Sequence, residues 1–290
     1  MASMREVKRR KESIQSTGQI TKAMKLVSTV KLQRAKSRTE STKPYFEHMY
    51  AAVISMLKKT SNINHPYVNT VSEDTGKKGI IVITSNRGLA GGYNSNIVKL
   101  ITGSDIKKED AVIYAVGRKG RDSLARLGYK IQADYSEAIN DPIYRDASDI
   151  GAVVLEEFTK GEISEIYLAY TVFKNTVSHI PTLIRLLPVD TSVMEMEEES
   201  EIDKLTLMNY EPSPEEALEM IIPKYMNSLI YGAFMEAVAS ENGARMRAMD
   251  SATNNAEDMI DELELTYNRA RQSSITQEIT EIIGGANAIS

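Results

Sequence analysis

The chain ends in a long stretch without proline, residues 224–290, which reads KYMNSLIYGAFMEAVASENGARMRAMDSATNNAEDMIDELELTYNRARQSSITQEITEIIGGANAIS. Its glycines are Gly232, Gly243, Gly284 and Gly285. A helix over the whole stretch would be roughly 100 Å long, whereas globular helices average about 11–12 residues. Because a helix of that length must bury its apolar side on a partner, the stretch predicts a coiled coil.

Two interleaved series of residues at seven-residue spacing run along this stretch. The first series is Met235, Asn242, Met249, Ala256, Leu263, Ala270 and Gln277. The second series is Val238, Arg245, Ala252, Met259, Thr266, Ser273 and Thr280. Together they predict the a and d positions of a coiled coil over about six heptads. Both series become small and polar toward the C-terminus, which predicts a single helix that lies on another surface.

The beginning of the chain supplies the partner helix. Residues 3–43 contain no proline and only one glycine, Gly18, and the helix is expected to continue past Pro44 to about Lys59. Apolar residues largely follow the three- and four-residue spacing of one helix face, at Val7, Ile14, Ile20, Met24, Val27 and Val30. We therefore expect the two ends of the chain to form a long antiparallel pair of helices.

Charge is distributed unevenly between the two ends. Residues 1–43 carry twelve Lys or Arg and three Glu, a net charge of +9, although the whole chain has −5. Six acidic and no basic residues lie between Asp250 and Glu264. The opposite charges suit neighbouring helices, but solvated faces with weak surface ion pairs explain the same pattern.

The middle of the chain changes to short β-branched apolar runs, which are typical of buried parallel strands. These runs are residues 79–84, 111–117 and 165–171. Helical stretches lie between them, at residues 95–101, 120–127 and 147–160. The alternation predicts a Rossmann-like α/β domain with a small parallel sheet. The expected organisation is therefore an N-terminal coiled-coil helix (1–60), the α/β domain (77–192), and a C-terminal coiled-coil helix with its tip (211–290).

The glycine-rich turn NRGLAGG at residues 86–92 is the best candidate for ligand chemistry. It follows the first strand and precedes a helix, as a phosphate-binding turn does. Its spacing is not G-x-G-x-x-G, and the Lys-Ser/Thr ending of a P-loop is missing. A turn that needs glycine for its backbone geometry explains the sequence better than nucleotide binding.

Other chemistry finds little support. The chain has no cysteine, and its three histidines, His48, His65 and His179, have no metal-ligand spacing, so we predict no catalytic, metal or cofactor site. The basic N-terminal helix lacks the aromatic residues that stack on bases, which argues against nucleic-acid binding. No apolar run approaches the roughly 20 residues of a membrane span, so no direct bilayer insertion is expected. The methionines, including Met24, Met235, Met249 and Met259, are explained by core packing.

Three segments resemble the gamma subunit family of the rotary F-type ATP synthase. They are ITKAMKLVS at residues 20–28, SNRGLAGGYN at 85–94 and YNRARQSSITQEITEI at 267–282. The resemblance runs along the whole chain, and its order of helix, Rossmann-like domain and helix is that of the family. The sequence is similar to the bacterial type, because the cysteine-containing segment of chloroplast relatives is missing.

The resemblance implies a rotor with no active site of its own. One copy would sit in a hexamer of alternating alpha and beta subunits, with the epsilon subunit and the c-subunit ring as further partners. Rotation of the ring by proton or sodium flow would turn the paired helices, and the beta subunits would make or hydrolyse ATP. The implied location is peripheral, on the cytoplasmic face of the bacterial cell membrane, which fits the absence of a leader-like segment at the start of the sequence.

The family's contact positions are carried over only where the motif matches. Met24 corresponds to a methionine that meets an acidic loop of beta, and Lys25 beside it favours that contact electrostatically. Packing in the helix pair explains Met24 equally well. Further implied contacts with beta are Arg245, Gln272 and Thr276, and implied contacts on the c-ring and epsilon side are Tyr210 and Glu211.

A second interpretation from another class of protein stays open at this point. The chain would then be a small-ligand or nucleotide-binding α/β protein whose coiled coil drives oligomerisation. Nucleotide binding by the isolated chain would favour this interpretation, whereas dependence on alpha and beta subunits would favour the rotor.

Overall fold

The computed structural model describes residues 4–59, 65–68, 76–189 and 213–289. Two long helices lie at its ends, α1 at Met4–Lys59 with 56 residues and α5 at Pro214–Ile289 with 76 residues. Pro44 lies within α1 and Pro223 within α5. The sequence prediction of two long terminal helices is confirmed, including the continuation past Pro44.

Between the long helices, strands and short helices alternate. The strands are β1 at Lys78–Ile83, β2 at Ala111–Val116, β3 at Lys130–Asp134, β4 at Glu165–Phe173 and β5 at His179–Leu187. The shorter helices are α2 at Tyr93–Thr102, α3 at Arg118–Arg126, a 3₁₀ turn at Ala138–Asn140 and α4 at Tyr144–Thr159. The three strands and three helices predicted from the sequence are all present, with ends shifted by a few residues.

The sheet has the order β3-β2-β1-β4-β5. β1 pairs in parallel with both β2 and β4, and β2 pairs in parallel with β3. The predicted small parallel sheet is confirmed for these strands, and the edge strand β5, which was not predicted, pairs antiparallel to β4. A hairpin connects β4 and β5, and such a short connection permits only antiparallel pairing.

Alternating side chains of the central strands build a core on each face of the sheet. On one face, Ile81, Ile83 and Tyr114 pack in a cluster with buried residues of α1, α4 and α5. On the other face, Ile80 and Val82 pack with buried residues of α2 and α3. The parallel strands are covered on both faces, which is why their sequences are continuous apolar runs.

Helix α5 begins with a side-chain cap. The Ser213 hydroxyl accepts a hydrogen bond from the backbone N–H of Glu216 at 3.2 Å, the usual N-cap contact. Pro214 occupies the first helical position, where its missing N–H costs nothing.

The described chain divides into two compact units. One consists of Met1–Thr29 with Arg245–Ser290, and the other is Val30–Ala244. We call the first the helix-pair unit and the second the α/β unit, and we describe each by itself. The domain boundaries predicted from the sequence stay a prediction.

Candidate functional site: the helix-pair unit

Small and polar side chains form the seam between α1 and α5 in the helix-pair unit. A Cβ added at Gly18 would lie 3.5 Å from the Cβ of Ala256, in ordinary van der Waals contact. The hydroxyls of Thr21 and Thr253 lie 2.8 Å apart and are buried. Small residues let two helix backbones approach closely, so the seam is narrow at this level.

Ion pairs cross the same seam at two levels. Lys25 Nζ lies 2.5 Å from Asp250 Oδ1, and Lys11 Nζ lies 3.2 Å from Glu264 Oε1. The acidic segment of α5 therefore does meet the basic N-terminal helix, as the charge pattern indicated. From the Lys11 pair to the Lys25 pair, the residue number rises along α1 from 11 to 25 and falls along α5 from 264 to 250, so the two helices are antiparallel.

The predicted seam of α5 is correct for the first heptad series as far as Ala270, although its last member Gln277 is exposed, and it is wrong for part of the second series. Met249 and Ala256 are buried, and Leu263 and Ala270 are half-buried, as expected for the first series. The second series fails beyond Ala252, because its members Met259, Thr266, Ser273 and Thr280 are exposed. The positions that turn inward instead are one residue further on, at Thr253, Ile260, Tyr267 and Ser274.

Helix α1 also places its apolar residues differently from the prediction. Ile20, Val27 and Val30 are each more than half exposed, although the apolar spacing predicted them on the packing face. Thr21 and Ser28 are buried in their place. A seven-residue count from Val7 gives Ile14, Thr21 and Ser28, so the seam follows the heptad and not the larger apolar side chains.

The exposed apolar residues of α1 form a stripe beside the seam. Ile20, Met24 and Val27 follow the four- and three-residue spacing of one helix face; Ile20 and Val27 are exposed, and Met24 is half-buried. Exposed apolar groups that are contiguous commonly mark a surface that binds another protein. The helix-pair unit therefore presents an apolar surface that the described residues of the chain do not cover.

The C-terminal end of α5 is exposed on every side. All residues from 275 to 285 are exposed, including Ile275, Ile279, Ile282 and Ile283. The α1 contacts above pair residue 11 with residue 264, so the first described residue of α1, Met4, reaches only to about residue 271. The sequence prediction of a single helix at the tip is confirmed over these residues.

The predicted contact residues fall at two separate levels of this unit. Lys25 pairs with Asp250, and Arg245, which is buried, lies less than two turns before Asp250 on α5. Gln272 and Thr276 are exposed on adjacent turns, and the Thr276 hydroxyl donates to the Gln272 carbonyl oxygen at 2.9 Å. Arg245 and Gln272 are 27 positions apart, about 40 Å along a helix, so they do not form one patch. Tyr210 and Glu211 lie outside the described residues.

The glycine-rich turn at residues 86–92 belongs to the α/β unit, and its polar groups are bonded within the protein. Asn86 Oδ1 accepts the Arg118 N–H at 3.0 Å, while Asn86 Nδ2 donates to the Ser136 carbonyl oxygen at 2.6 Å. Asn94 Oδ1 accepts the Ser85 N–H at 2.9 Å. Leu89 and Gly91 have positive φ angles of 62° and 56°. The glycines thus serve the shape of the turn, and these amide groups are engaged with protein partners.

A cleft of about 510 Å³ opens near the ends of β2 and β3. Two ion pairs lie in the cleft, Arg118 with Glu137 and Arg121 with Asp134. Burial alone would raise the pKa of Asp134, but hydrogen bonds from Ser136 and Arg121 outweigh it and hold that pKa below the usual value. These contacts describe a structural ion-pair network and not an acid–base site.

Within the described ranges of the chain, no cluster of three or more His, Cys, Asp or Glu side chains has an arrangement that could bind a metal ion. Among the helices in those ranges, none has the length and apolarity that a membrane span requires.

Comparisons with known proteins agree along the full chain. A family profile described as ATP synthase matches residues 3–289. The ATP synthase gamma chain of Lachnoclostridium phytofermentans is 70% identical over 292 residues, covering 100% of both chains. The sodium ion specific ATP synthase gamma chain of Acetobacterium woodii is 41% identical over 300 residues, covering 99% of each.

Solved structures show the same fold. A chain of the Euglena gracilis mitochondrial ATP synthase, from an OSCP/F1/c-ring assembly, has a TM-score of 0.70 at 19% identity and covers 99% of this chain and 94% of its own. A chain of the central stalk and c-ring of the Tetrahymena thermophila mitochondrial ATP synthase has a TM-score of 0.59 at 27% identity. It covers 80% of this chain and 99% of its own.

A pair of long terminal helices that leaves apolar side chains exposed among the described residues, with an α/β domain between them in the sequence, defines the class of a subunit that works within a larger assembly. The extent and identity of the matches then identify the family. The chain belongs to the gamma chains of ATP synthase, the rotor subunit of the central stalk. The catalytic sites of that enzyme are on the beta subunits, and the gamma chain itself is non-catalytic.

Proposed function

We propose that this chain couples ion-driven rotation of a c-subunit ring to conformational changes at the catalytic beta subunits. Its partners are the alpha and beta subunits, with one copy in each alternating hexamer, the epsilon subunit and the c ring. It acts at the cytoplasmic face of the bacterial cell membrane as a peripheral protein. The observation that carries the proposal is the row of exposed apolar residues on the helix-pair unit of a gamma chain.

The asymmetry of that unit suits a rotor. One side of α1 presents Ile20 and Val27, whereas the exposed side of α5 at the same unit carries acidic residues such as Glu257 and Asp258. Three chemically identical beta subunits would therefore meet different surfaces at any one angle. Each contact shifts its beta subunit between states by the difference in affinity, and rotation passes that bias to the next site.

The residues proposed to contact beta are Met24, Lys25, Arg245, Gln272 and Thr276. Met24 lies on the apolar stripe, and Gln272 and Thr276 are exposed at the tip, which supports these assignments. Arg245 and Lys25 have interactions inside the chain, so a contact with beta would have to add to or replace them. Tyr210 and Glu211 are proposed on the c-ring and epsilon side from the resemblance alone.

Reconstitution with alpha and beta subunits tests the proposal. Native mass spectrometry should find one copy of this chain in each hexamer, and ATP hydrolysis by the hexamer should rise when the chain is added. Nucleotide binding by the isolated chain with no incorporation into the hexamer would contradict the proposal. That result would favour the second interpretation, a nucleotide-binding protein with an oligomerising coiled coil.

A further inference from the structure

Four polar residues join the two helices one turn apart within the helix-pair unit. The Thr21 and Thr253 hydroxyls lie 2.8 Å apart, and Lys25 Nζ lies 2.5 Å from Asp250 Oδ1. On each helix, the two residues are three or four positions apart and so project from the same side. We call Thr21, Lys25, Asp250 and Thr253 the clasp.

The threonine pair of the clasp is bonded in a defined way. The Thr21 hydroxyl is also within hydrogen-bond distance of the Gly18 carbonyl oxygen, at 3.0 Å, and the Thr253 hydroxyl of the Met249 carbonyl oxygen, at 2.8 Å. Two hydroxyl hydrogens therefore serve three contacts, and one of them donates across the seam while the other donates to its own helix. Because both hydroxyls are buried, this bond is directional and allows little sliding or rotation of one helix on the other.

The clasp brackets the turn of α1 that carries the exposed apolar stripe. Met24 lies three positions after Thr21 and one before Lys25, and Ile20 and Val27 flank the same turn. The seam around it contains small residues, since Gly18 faces Ala256 and Ser28 is buried, beside the buried side chain of Met249. Packing by shape alone specifies register weakly at such a seam, whereas a polar pair specifies it strongly.

We propose that the clasp positions the stripe of Ile20, Met24 and Val27 for its partner and fixes the angle at which α1 presents it. The clasp residues act through the stripe and are positioning residues of the rotor. The proposal rests on the proposed function, because the stripe matters only if a partner subunit contacts it. It assigns to Thr253 and Asp250, two residues of α5, a role in a contact made by α1.

The test uses variants of α5 alone, so that Met24 and Lys25 stay unchanged. Asp250→Asn combined with Thr253→Val removes the charge and the hydroxyl from one side of the clasp. Asp250→Glu combined with Thr253→Ser is the conservative counterpart that keeps both. Each variant is assembled into the complete enzyme in membrane vesicles, and the ratio of ions transported to ATP hydrolysed is measured for each gamma chain present.

The other ion pair of the seam provides the matched control. Glu264→Gln breaks the contact with Lys11, which has the same chemistry and crosses the same two helices away from the stripe. We expect the Asn/Val variant to lower the transport ratio by at least about twofold, within the range of coupling effects of residues that contact no ligand. The Glu/Ser variant and Glu264→Gln should keep the ratio of the unchanged chain.

A cross-link separates positioning from a loss of stability. The chain has no cysteine, so Thr21→Cys with Thr253→Cys gives a single pair, at positions whose hydroxyl oxygens lie 2.8 Å apart. Oxidation should restore the transport ratio of a chain that also carries Asp250→Asn, because the covalent bond replaces the lost restraint.

Each outcome decides the proposal. An Asn/Val complex with one gamma chain and an unchanged ratio would overturn the positioning role, as would a control that loses the ratio equally. Failure of the cross-link to rescue Asp250→Asn would show that the carboxylate acts through its charge and not through position. If even the unchanged chain neither enters the hexamer nor stimulates it, the proposed function fails and not the clasp.

Discussion

Among single residues, Glu236 is an ionisable group of the α/β unit whose environment opposes its charge. Its Oε2 accepts the Phe173 backbone N–H at 3.3 Å, but burial raises the pKa of its carboxyl above the usual value. Burial and Glu236 itself raise the pKa of the neighbouring Tyr170 phenol to about 12. A group with a raised folded pKa contributes stability that is complete below its unfolded pKa of about 4.3 and is lost as the pH rises through the folded pKa.

We therefore expect Glu236→Gln to stabilise the chain at neutral pH. Glutamine keeps an oxygen that accepts the Phe173 N–H and removes the buried charge, so the thermal unfolding temperature at pH 7 should rise. Each kcal/mol gained corresponds to about 2–4 °C for a chain of this size class. The gain over the unchanged chain should shrink as the pH falls toward 4, and circular dichroism melts at several pH values measure it. Glu262→Gln, at an exposed position of α5, is the control; a gain independent of pH would contradict the argument.

At the scale of secondary-structure elements, the sequence predicted the strands that are continuous apolar runs. It missed the strands that only their contacts with a neighbouring strand define. β1, β2 and β4 are apolar runs buried on both faces, which no loop would tolerate. β3 alternates exposed and half-buried residues with Lys130 and Asp134 at its ends, and β5 contains Pro181, which argues against a strand except at an edge. Both missed strands are the edges of the sheet, where the sequence is free of the constraint that makes central strands recognisable.

The packing face of α1 was also predicted wrongly, because contacts and not hydrophobicity determine it. Ile20 and Val27 have the character of seam residues, but they are exposed, and Thr21 and Ser28 are buried. When partner contacts require apolar surface outside and close helices require small residues inside, hydrophobicity no longer indicates the packed face. The contact assignments at Met24 and Gln272 came from resemblance, and no periodicity in the sequence would have found them.

At the crossing of α4 and α5, one glycine sets the distance between the helices. A Cβ added at Gly151 would lie 2.0 Å from Asn227 Oδ1, a buried oxygen with no hydrogen-bond partner among the described residues. We expect Gly151→Ala to destabilise the chain by about 1–3 kcal/mol through this overlap, despite the better helix propensity of alanine.

Denaturant titration of Gly151→Ala and of Gly151→Ala with Asn227→Ala measures the effect. The second variant removes the overlapping side chain, so part of the lost stability should return. Asn227→Ala alone provides the remaining corner of the double-mutant cycle. If the changes in the free energy of unfolding were strictly additive, the contact with Asn227 would not be the reason for a glycine at residue 151.

The heptad register of α5 gives a second prediction for an element. Ile260 is half-buried and its neighbour Met259 is 41% exposed, which is the reverse of the spacing read from the sequence. Ile260→Ala should lower the free energy of unfolding by about 1–2 kcal/mol, whereas Met259→Ala should change it by less than about 0.5 kcal/mol. If the two substitutions lowered the free energy of unfolding equally in urea titrations, Met259 would be a seam residue and the prediction would be wrong.

At the scale of the whole molecule, the two units differ in the side chains that stabilise them. The α/β unit has a conventional core on both faces of its sheet, formed by large apolar side chains such as Tyr114 and Phe234. The helix-pair unit packs small and polar residues such as Gly18 and Thr21 beside Met249 in its seam, and it leaves Ile20, Val27 and the isoleucines of the tip exposed. Such a unit gains much of its stability from partners, by mass action, which fits a subunit whose function exists only within an assembly.

The exposed tip of α5 allows the dependence of the helix-pair unit on its partners to be tested. A chain that ends after Ser274 loses residues 275–285, which are all exposed, and the five that follow them. Its unfolding temperature should therefore change by less than about 1 °C, at the level of a surface change. Its affinity for the hexamer should fall, because burying each of Ile275, Ile279 and Ile282 in a partner would contribute about 1.5–3 kcal/mol. We expect the dissociation rate from the hexamer, measured by surface plasmon resonance, to rise at least about tenfold.

Replacing the same three isoleucines by serine keeps the full length of the helix and should have the same effect on dissociation. A shortened chain that melts at a much lower temperature would show that the tip packs within its own chain. A shortened chain that leaves the hexamer no faster would show that the apolar residues of the tip are not buried by the partner, and the contact would then have to be carried by the stripe on α1.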